Sequence, residues 1–354
     1  MKKIAQSKFH KSHIKVLWSG FRPFYDYWGN ELKRFYQFDT LVNSFNNYLC
    51  GKDKFTIPSI QKVLGNTQIT SLKIHLFQEG KYQFIFQLKA ENQKLKKTHF
   101  ALVIAKDGDE FSKVAKSEHQ YLIILNKKCP EYVVKPFLGD YLFFPDRHNR
   151  KEFHRKIYAY LTQWLNGFDE LGINKNLQFF TNVPNPHTFS IEETNQIKVK
   201  IIETIISLYD EKKRTSIALP EIASGDFVIK RSPSGQHRIK LIACRRLIKP
   251  ISPPELIAKI LTTSWNWGNK KFNLIPDDPL DFLSAFYNIL GKEKSLLWFN
   301  NIWQQEEKRI PHPVVPGEYI KALKKLSTVK IDMGMCNKNI SKKNNKIKEQ
   351  IDVS

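Results

Sequence analysis

The chain has 354 residues, of which 41% are hydrophobic and 13% aromatic, enough apolar mass for a sizeable core. That composition excludes a disordered protein and suits two domains or one two-lobed unit. Lysine and arginine total 57 against 34 acids, a formal charge of +23, so acidic partners such as nucleotides, nucleic acid or an anionic surface are electrostatically favoured.

The four cysteines, Cys50, Cys129, Cys244 and Cys336, lie far apart and form no CxxC pair. This argues against a zinc ribbon, a disulfide framework or a thiol redox motif. The basic start MKKIAQSKFHKSH leads into no apolar segment, and no stretch approaches the ~18 apolar residues of a membrane span. A cytoplasmic location and no membrane partner are expected.

Residues 1–70 are aromatic and basic, with Trp18, Phe21, Phe24, Tyr25, Tyr27, Trp28, Phe35, Tyr36 and Phe38 ahead of an expected helix from Leu41 to Leu49. Such density reads as an extension that packs on the rest of the fold. Aromatics interleaved with Lys and Arg could also stack bases, although no nucleic-acid-binding motif is present.

From Leu72 to Leu88 the apolar residues alternate with polar ones on either side of Gln78-Glu79-Gly80-Lys81, which predicts a β-hairpin. The run from Phe100 to Ala105 ends in Lys106 and predicts a buried strand, with Asp107-Gly108-Asp109 supplying the stop and a helix N-cap. In the helix that follows, Phe111, Val114, Ala115, Leu122 and Leu125 share one face, and Glu118 falls among them. An unpaired buried carboxylate is costly, so a cation should be near Glu118, and Lys106 is the nearest in sequence.

A strand ending in Ala-Lys, followed by a helix whose inward Glu pairs with that Lys, resembles the N-terminal lobe of the protein-kinase-like superfamily, closest to its aminoglycoside and choline kinase branch. There the pair orients the α- and β-phosphates of ATP. The resemblance implies that the turn at Gly80 takes the place of the phosphate-covering loop, though it has one glycine where G-x-G-x-x-G is usual; taken alone, Gly80 reads as an ordinary hairpin turn. Tyr132 to Phe137 and Asp140 to Phe144 look like a further hairpin pair, followed by a strand from Lys156 to Leu161. The resemblance then places Gln163, Trp164 and Leu165 at a hinge whose backbone binds adenine.

Ser190 and Glu193 form a capping box that opens a long apolar helix through Ile197, Ile201, Ile202, Ile205, Ile206 and Leu208. In the resembled branch a His-Gly-Asp loop supplies the catalytic Asp, an Asn five residues on binds magnesium, and a strand hairpin leads to a second metal-binding Asp. Gly225-Asp226 fits the first element, with Ser224 in place of His, and Phe227-Val228-Ile229 with Ile239-Lys240-Leu241-Ile242 fits the hairpin. Arg231 stands where the Asn is expected and Ala243 where the second Asp is expected.

Asp226 is therefore a residual catalytic base, with Asp277, Asp278 and Asp281 as conceivable metal ligands; or a structural loop Asp in a fold that lost its chemistry; or a turn residue of an unrelated fold. Arg231, Arg238, Arg245 and Arg246 suit the second reading, since guanidinium groups beside a phosphate pocket can stand in for metal charge. Helices are expected after Pro253-Pro254, after Asp278-Pro279 up to Gly291, around Leu296 to Trp303, and from Tyr319 to Leu326.

The expected fold is α+β and bilobal kinase-like: an N-terminal extension (1–70), a β-rich lobe and hinge (71–165), a helical lobe (166–334) and a disordered basic tail (335–354). The expected function is binding of a nucleotide or phosphorylated small molecule between the lobes by a catalytically degenerate, pseudokinase-like protein, with ATP as possible ligand and Mg2+ doubtful. The nucleotide contacts would come from Gly80, Lys106, Glu118, Gln163, Trp164 and Leu165, and the catalytic group would be Asp226. The alternatives are an active ATP-dependent phosphotransferase and a basic nucleic-acid-binding protein. A protein partner is compatible with all three.

Overall fold

The structure, a computed structural model, describes residues 5–7, 15–19, 60–61, 63, 65, 68–80, 82–106, 108–145, 154–181, 186–232, 236–267, 269–305 and 317–328. The expected helix at Leu41 to Leu49 and the tail 335–354 lie outside them, as does most of the N-terminal extension. The fold is mixed α and β with mainly antiparallel sheets.

The first half is built on β1 (Ala5–Ser7), β2 (Lys15–Ser19), β3 (Ile69–Glu79), β4 (Gln83–Asn92), β5 (Lys97–Ala105), helix α1 (Asp109–Lys128), β6 (Pro136–Pro145) and β7 (His154–Gln163). They form one seven-stranded sheet in the order β1-β2-β3-β4-β5-β7-β6, with only β2 and β3 parallel. Alternation decides its faces: Leu72, Ile74, Phe84, Phe86, Leu88, Phe100, Leu102 and Ile104 are buried on one side. Helix α1 packs on β5, β6 and β7 and buries Ala115, Glu118, Leu122 and Leu125.

Two local readings are corrected here. The N-cap position of α1 is Gly108, at φ 128°, with no side-chain cap; Asp109 and Glu110 instead sit in the first turn, where their charge complements the helix dipole. Residues 136–145 make one strand paired with β7 and not a hairpin of their own, because the partner is supplied from beyond the next connection.

The second half is less helical than its sequence suggests. Strands β8 (Asp169–Ile173), β9 (Phe179–Thr181) and β10 (His187–Thr188) precede helix α2 (Ile191–Leu208), then come β11 (Ser216–Ile217), β12 (Phe227–Lys230), β13 (Arg238–Leu241) and β14 (Leu247–Ile248). β10-β9-β8-β12-β13 form a five-stranded antiparallel sheet. The remainder is α3 (Pro253–Thr262), the hairpin β15 (Ser264–Trp267) and β16 (Lys270–Asn273), then α4 (Pro279–Leu290), α5 (Lys292–Gln305) and α6 (Gly317–Thr328).

Both ends of the Ser190–Glu193 capping box are made, and Ile197, Ile201, Ile202 and Ile205 are fully buried. The two halves are joined where the chain leaving α1 pairs with β13: Val134 N–H donates to Leu241 O at 3.0 Å and Leu241 N–H to Tyr132 O at 2.8 Å.

Candidate ligand-binding cleft

A cavity of about 290 Å3 lies between the large sheet and the second half. Strand parity decides which side chains reach it. Ile85, Val103 and Tyr160 are directly opposite one another on β4, β5 and β7, and so are Ala101 and Thr162; all five line the cavity. Val228, Ile242 and Ala243 line it from the other side.

The same parity removes Lys106 from the site. It lies three residues beyond Val103, so the pleat turns it to the opposite face. Its ammonium sits 5.4 Å from the ring centroid of Phe84, a residue of that opposite face, and it does not line the cavity. The expected Lys106–Glu118 pair is not formed.

Glu118 does reach the cavity from α1, and its partners come from the sheet. Tyr160 Oη–H donates to its Oε1, as does Gln83 Nε2–H at 3.1 Å. Burial pushes the Glu118 carboxyl above its usual range, and the two donated hydrogen bonds pull against that rise; the nearest cation acting on it is Arg245. Burial and the adjacent carboxylate together push the Tyr160 hydroxyl well up, so it stays a donor.

Behind Tyr160, His119 stacks on its ring at 5.0 Å, donates its Nε2–H to the Phe137 carbonyl at 2.8 Å and accepts at Nδ1 from the Tyr158 hydroxyl at 2.9 Å. These contacts fix the Tyr160 ring in place.

Asp226 ends a short 3-10 turn (Ser224–Asp226) that leads directly into β12. Its carboxylate is buried and clamped from both sides. Arg245 gives a two-pronged contact, Nη1 to Oδ2 at 2.5 Å and Nη2 to Oδ1 at 2.7 Å, and Ala223 N–H donates to Oδ2 at 2.7 Å. Burial holds the Asp226 carboxyl above its ordinary value, against the lowering pull of Arg245 and the Ala223 N–H. Planar guanidinium on carboxylate is the strong geometry for such a pair. Both carboxylate oxygens are thus engaged, an arrangement that anchors a loop more readily than it accepts a proton.

At Gly225 beside it, a Cβ would meet the carboxylate end of Glu170, Oε1 at 2.5 Å, and would displace that side chain. Glu170, half-buried on β8, also lines the cavity, and burial raises its carboxyl.

The remaining expected residues are at the rim. Gly80 closes the β3–β4 turn through its N–H to Gln83 O at 2.8 Å. Gln163, Trp164 and Leu165 follow one another at the exit of β7. The Gln163 and Trp164 N–H groups are taken by Lys135 O and His99 O, while the Leu165 N–H has no partner among the described residues.

Of the four arginines singled out in sequence, only Arg245 lines the cavity, with its guanidinium 5.9 Å from the Tyr82 ring centroid. Arg246 pairs with Glu221 instead, and Arg231 and Arg238 are exposed. Asp278 caps α4, Asp277 meets Lys198 and Asn195, and neither they nor Asp281 line the cavity.

Gln83, Tyr160 and Glu170 went unremarked in the sequence. The parity of β4, β5 and β7 is the signal that would have found the first two, since each lies on the same side of the pleat as Ala101 and Val103. The chain matches no protein-family model and no curated protein.

Proposed function

We propose that the cleft binds a nucleotide or another phosphorylated ligand without turning it over, as a kinase-like protein whose catalytic parts have been replaced. One observation carries this reading. Gly80, Glu118, Gln163, Trp164, Leu165, Gly225 and Asp226, from stretches scattered along the chain, all line the same cavity.

The walls suit a planar base: Ile85, Ala101 and Val103 on one side, Val228, Ile242 and Ala243 on the other, with the Leu165 N–H at the rim. Arg245 is the arginine of the cavity lining, and the N–H donors that its contacts with Asp226 and the Glu221 carbonyl leave over are the ones available to a phosphate. Burial biases Glu118 and Glu170 toward their neutral forms, which lessens repulsion of an anion.

Magnesium does not fit this donor set. Asp226 offers both oxygens to Arg245, and Arg231 and Ala243 occupy the positions that the resemblance gives to metal ligands. Among the described residues there is no group of three or more His, Cys, Asp or Glu able to hold a metal. No phosphoryl-transfer step follows from these residues.

The test is a thermal-shift series with ATP, ADP and AMP, with and without magnesium. Binding to the folded state raises its stability, by about 2.7 kcal/mol at a hundredfold excess over the dissociation constant. The expected result is a rise in Tm that magnesium does not change, that Ala101→Leu abolishes by filling the slot, and that Lys106→Ala leaves intact. No shift with any of the three nucleotides sinks the reading, and ATP turnover lost in Asp226→Ala would replace it with an active phosphotransferase.

A further inference from the structure

The outer end of the large sheet carries two facing lysines with a histidine next in the row. Lys73 on β3 is directly opposite Lys89 on β4, and Lys89 is directly opposite His99 on β5. Adjacent strands lie about 4.8 Å apart, and like charges facing each other at that spacing destabilise a sheet. Lys73 and Lys89 are exposed and have no hydrogen-bond or ion-pair partner among the described residues.

In the next row Lys97, its side chain 65% exposed, makes a long 3.9 Å contact with Glu91, the acid lining this surface. The row opens into a depression of about 910 Å3 that includes Lys97, His99, Lys135, Gln163, Trp164 and Asn166.

Aromatic rings lie where this surface meets the cleft. Trp164 lines both the depression and the cleft, and its ring meets Phe77, 42% exposed, edge to face at 4.9 Å. A cationic track next to exposed ring faces is the arrangement that holds a sugar-phosphate backbone while unpaired bases stack.

We infer that this end of the sheet binds single-stranded nucleic acid. The polyanion neutralises Lys73, Lys89, Lys97 and Lys135 together, and Trp164 stacks a base. A duplex would hide its base faces from Trp164. A bilayer would not reach a half-buried ring set in a depression. The inference shares Trp164 with the cleft and takes its lysines from outside it, so the lysine variant separates it from the function proposed there.

The test is fluorescence anisotropy of a labelled oligouridylate of about 15 nucleotides, a length near the upper site size of single-strand binders, titrated with the full chain at several salt concentrations. Each phosphate contact to a single strand contributes about 0.7 to the log–log salt slope. Lys73→Ala/Lys89→Ala should therefore reduce the slope by about 1.4 and weaken binding by about tenfold at physiological salt. Trp164→Ala should weaken binding by about tenfold or more without changing the slope, through lost stacking.

Unchanged Tm values keep both variants interpretable. Equal affinity of the lysine variant and the wild type overturns the inference, as does equally tight binding of a duplex of the same length. Phosphatidylserine vesicles that bind with the same dependence on Lys73 and Lys89, and displace the oligonucleotide, would overturn it in favour of a membrane surface.

Discussion

One face of one sheet behaves in two opposite ways along its length. At the cleft end every charged group is enclosed and held: Glu118 by Tyr160 and Gln83, Asp226 by Arg245 and Ala223. At the outer end Lys73 and Lys89 face each other in register and exposed, like charge against like, with the half-buried His99 next in the row. Strand alternation sets the side chains of the sheet at both ends, and what differs is the second layer, from which α1 and the turn before β12 bring Glu118 and Asp226 to the cleft. Where the other half of the protein covers the sheet, desolvation forces each polar atom to find a partner. Where none of the described residues covers it, charges can remain uncompensated at little cost and stay available for a ligand.

The sharpest way to break this comparison is Arg245→Ala, which leaves Asp226 buried without its cation. Removing one partner of a buried pair costs about 3–5 kcal/mol, and the 28% exposure of the Arg245 side chain puts this loss near the lower end. Urea unfolding of the variant measures it. The double variant Asp226→Leu/Arg245→Met should recover much of the loss, since an apolar pair of similar volume leaves no charge stranded.

A smaller effect is expected at Tyr160→Phe, which takes away one of the two hydrogen bonds that Glu118 accepts and should cost about 1–3 kcal/mol at neutral pH.

Glu118→Gln sharpens the comparison in the other direction. The folded-state carboxyl is raised above its ordinary value of 4.5, so its stabilising contribution is complete below that pH and is lost as pH rises through the folded value. The glutamine amide oxygen still accepts from Tyr160 and Gln83, so the variant should melt higher than the wild type at neutral pH. The two should converge as pH falls below about 4.5.

The smallest effect belongs to the outer end. Lys73→Glu replaces a like-charge pair with an opposite one across β3 and β4 and should stabilise the fold by about 0.5 kcal/mol, measured in low salt and shrinking as salt is added. Stabilisation there combined with weaker oligonucleotide binding would mean that the lysine row is retained at the expense of the fold.

What could be read from the residues depended on how local the governing interaction was. The β3–β4 hairpin, the apolar run of β5, the Ser190–Glu193 box and the Asp278 cap with its Gly291 stop all follow from neighbours within a few positions, and they stand in the structure close to where the sequence puts them. Glu118 was legible as an inward acid because helical spacing placed it among Ala115, Leu122 and Leu125.

Its partners were not legible. Tyr160 is 42 positions away on β7 and Gln83 is 35 away on β4, and sequence proximity pointed to Lys106, which the pleat turns away. In the second half the β12–β13 hairpin was legible, whereas β8, β9 and β10, at two to five residues, are too short to carry a period. Arg245 was one of four arginines in a cluster, and only the turn after β13 selects it.

The contact between Phe77 and Trp164 gives the cleft an optical consequence. β4 and β5 lie between the strand of Phe77 and β7, which Trp164 follows, yet the two rings meet at 4.9 Å beside the cavity. A molecule that enters past them separates the rings and alters the surroundings of the indole, so the emission of Trp164 should change on occupancy and serve as an intrinsic reporter. Replacing the other six tryptophans with phenylalanine together would isolate that signal without attaching a dye.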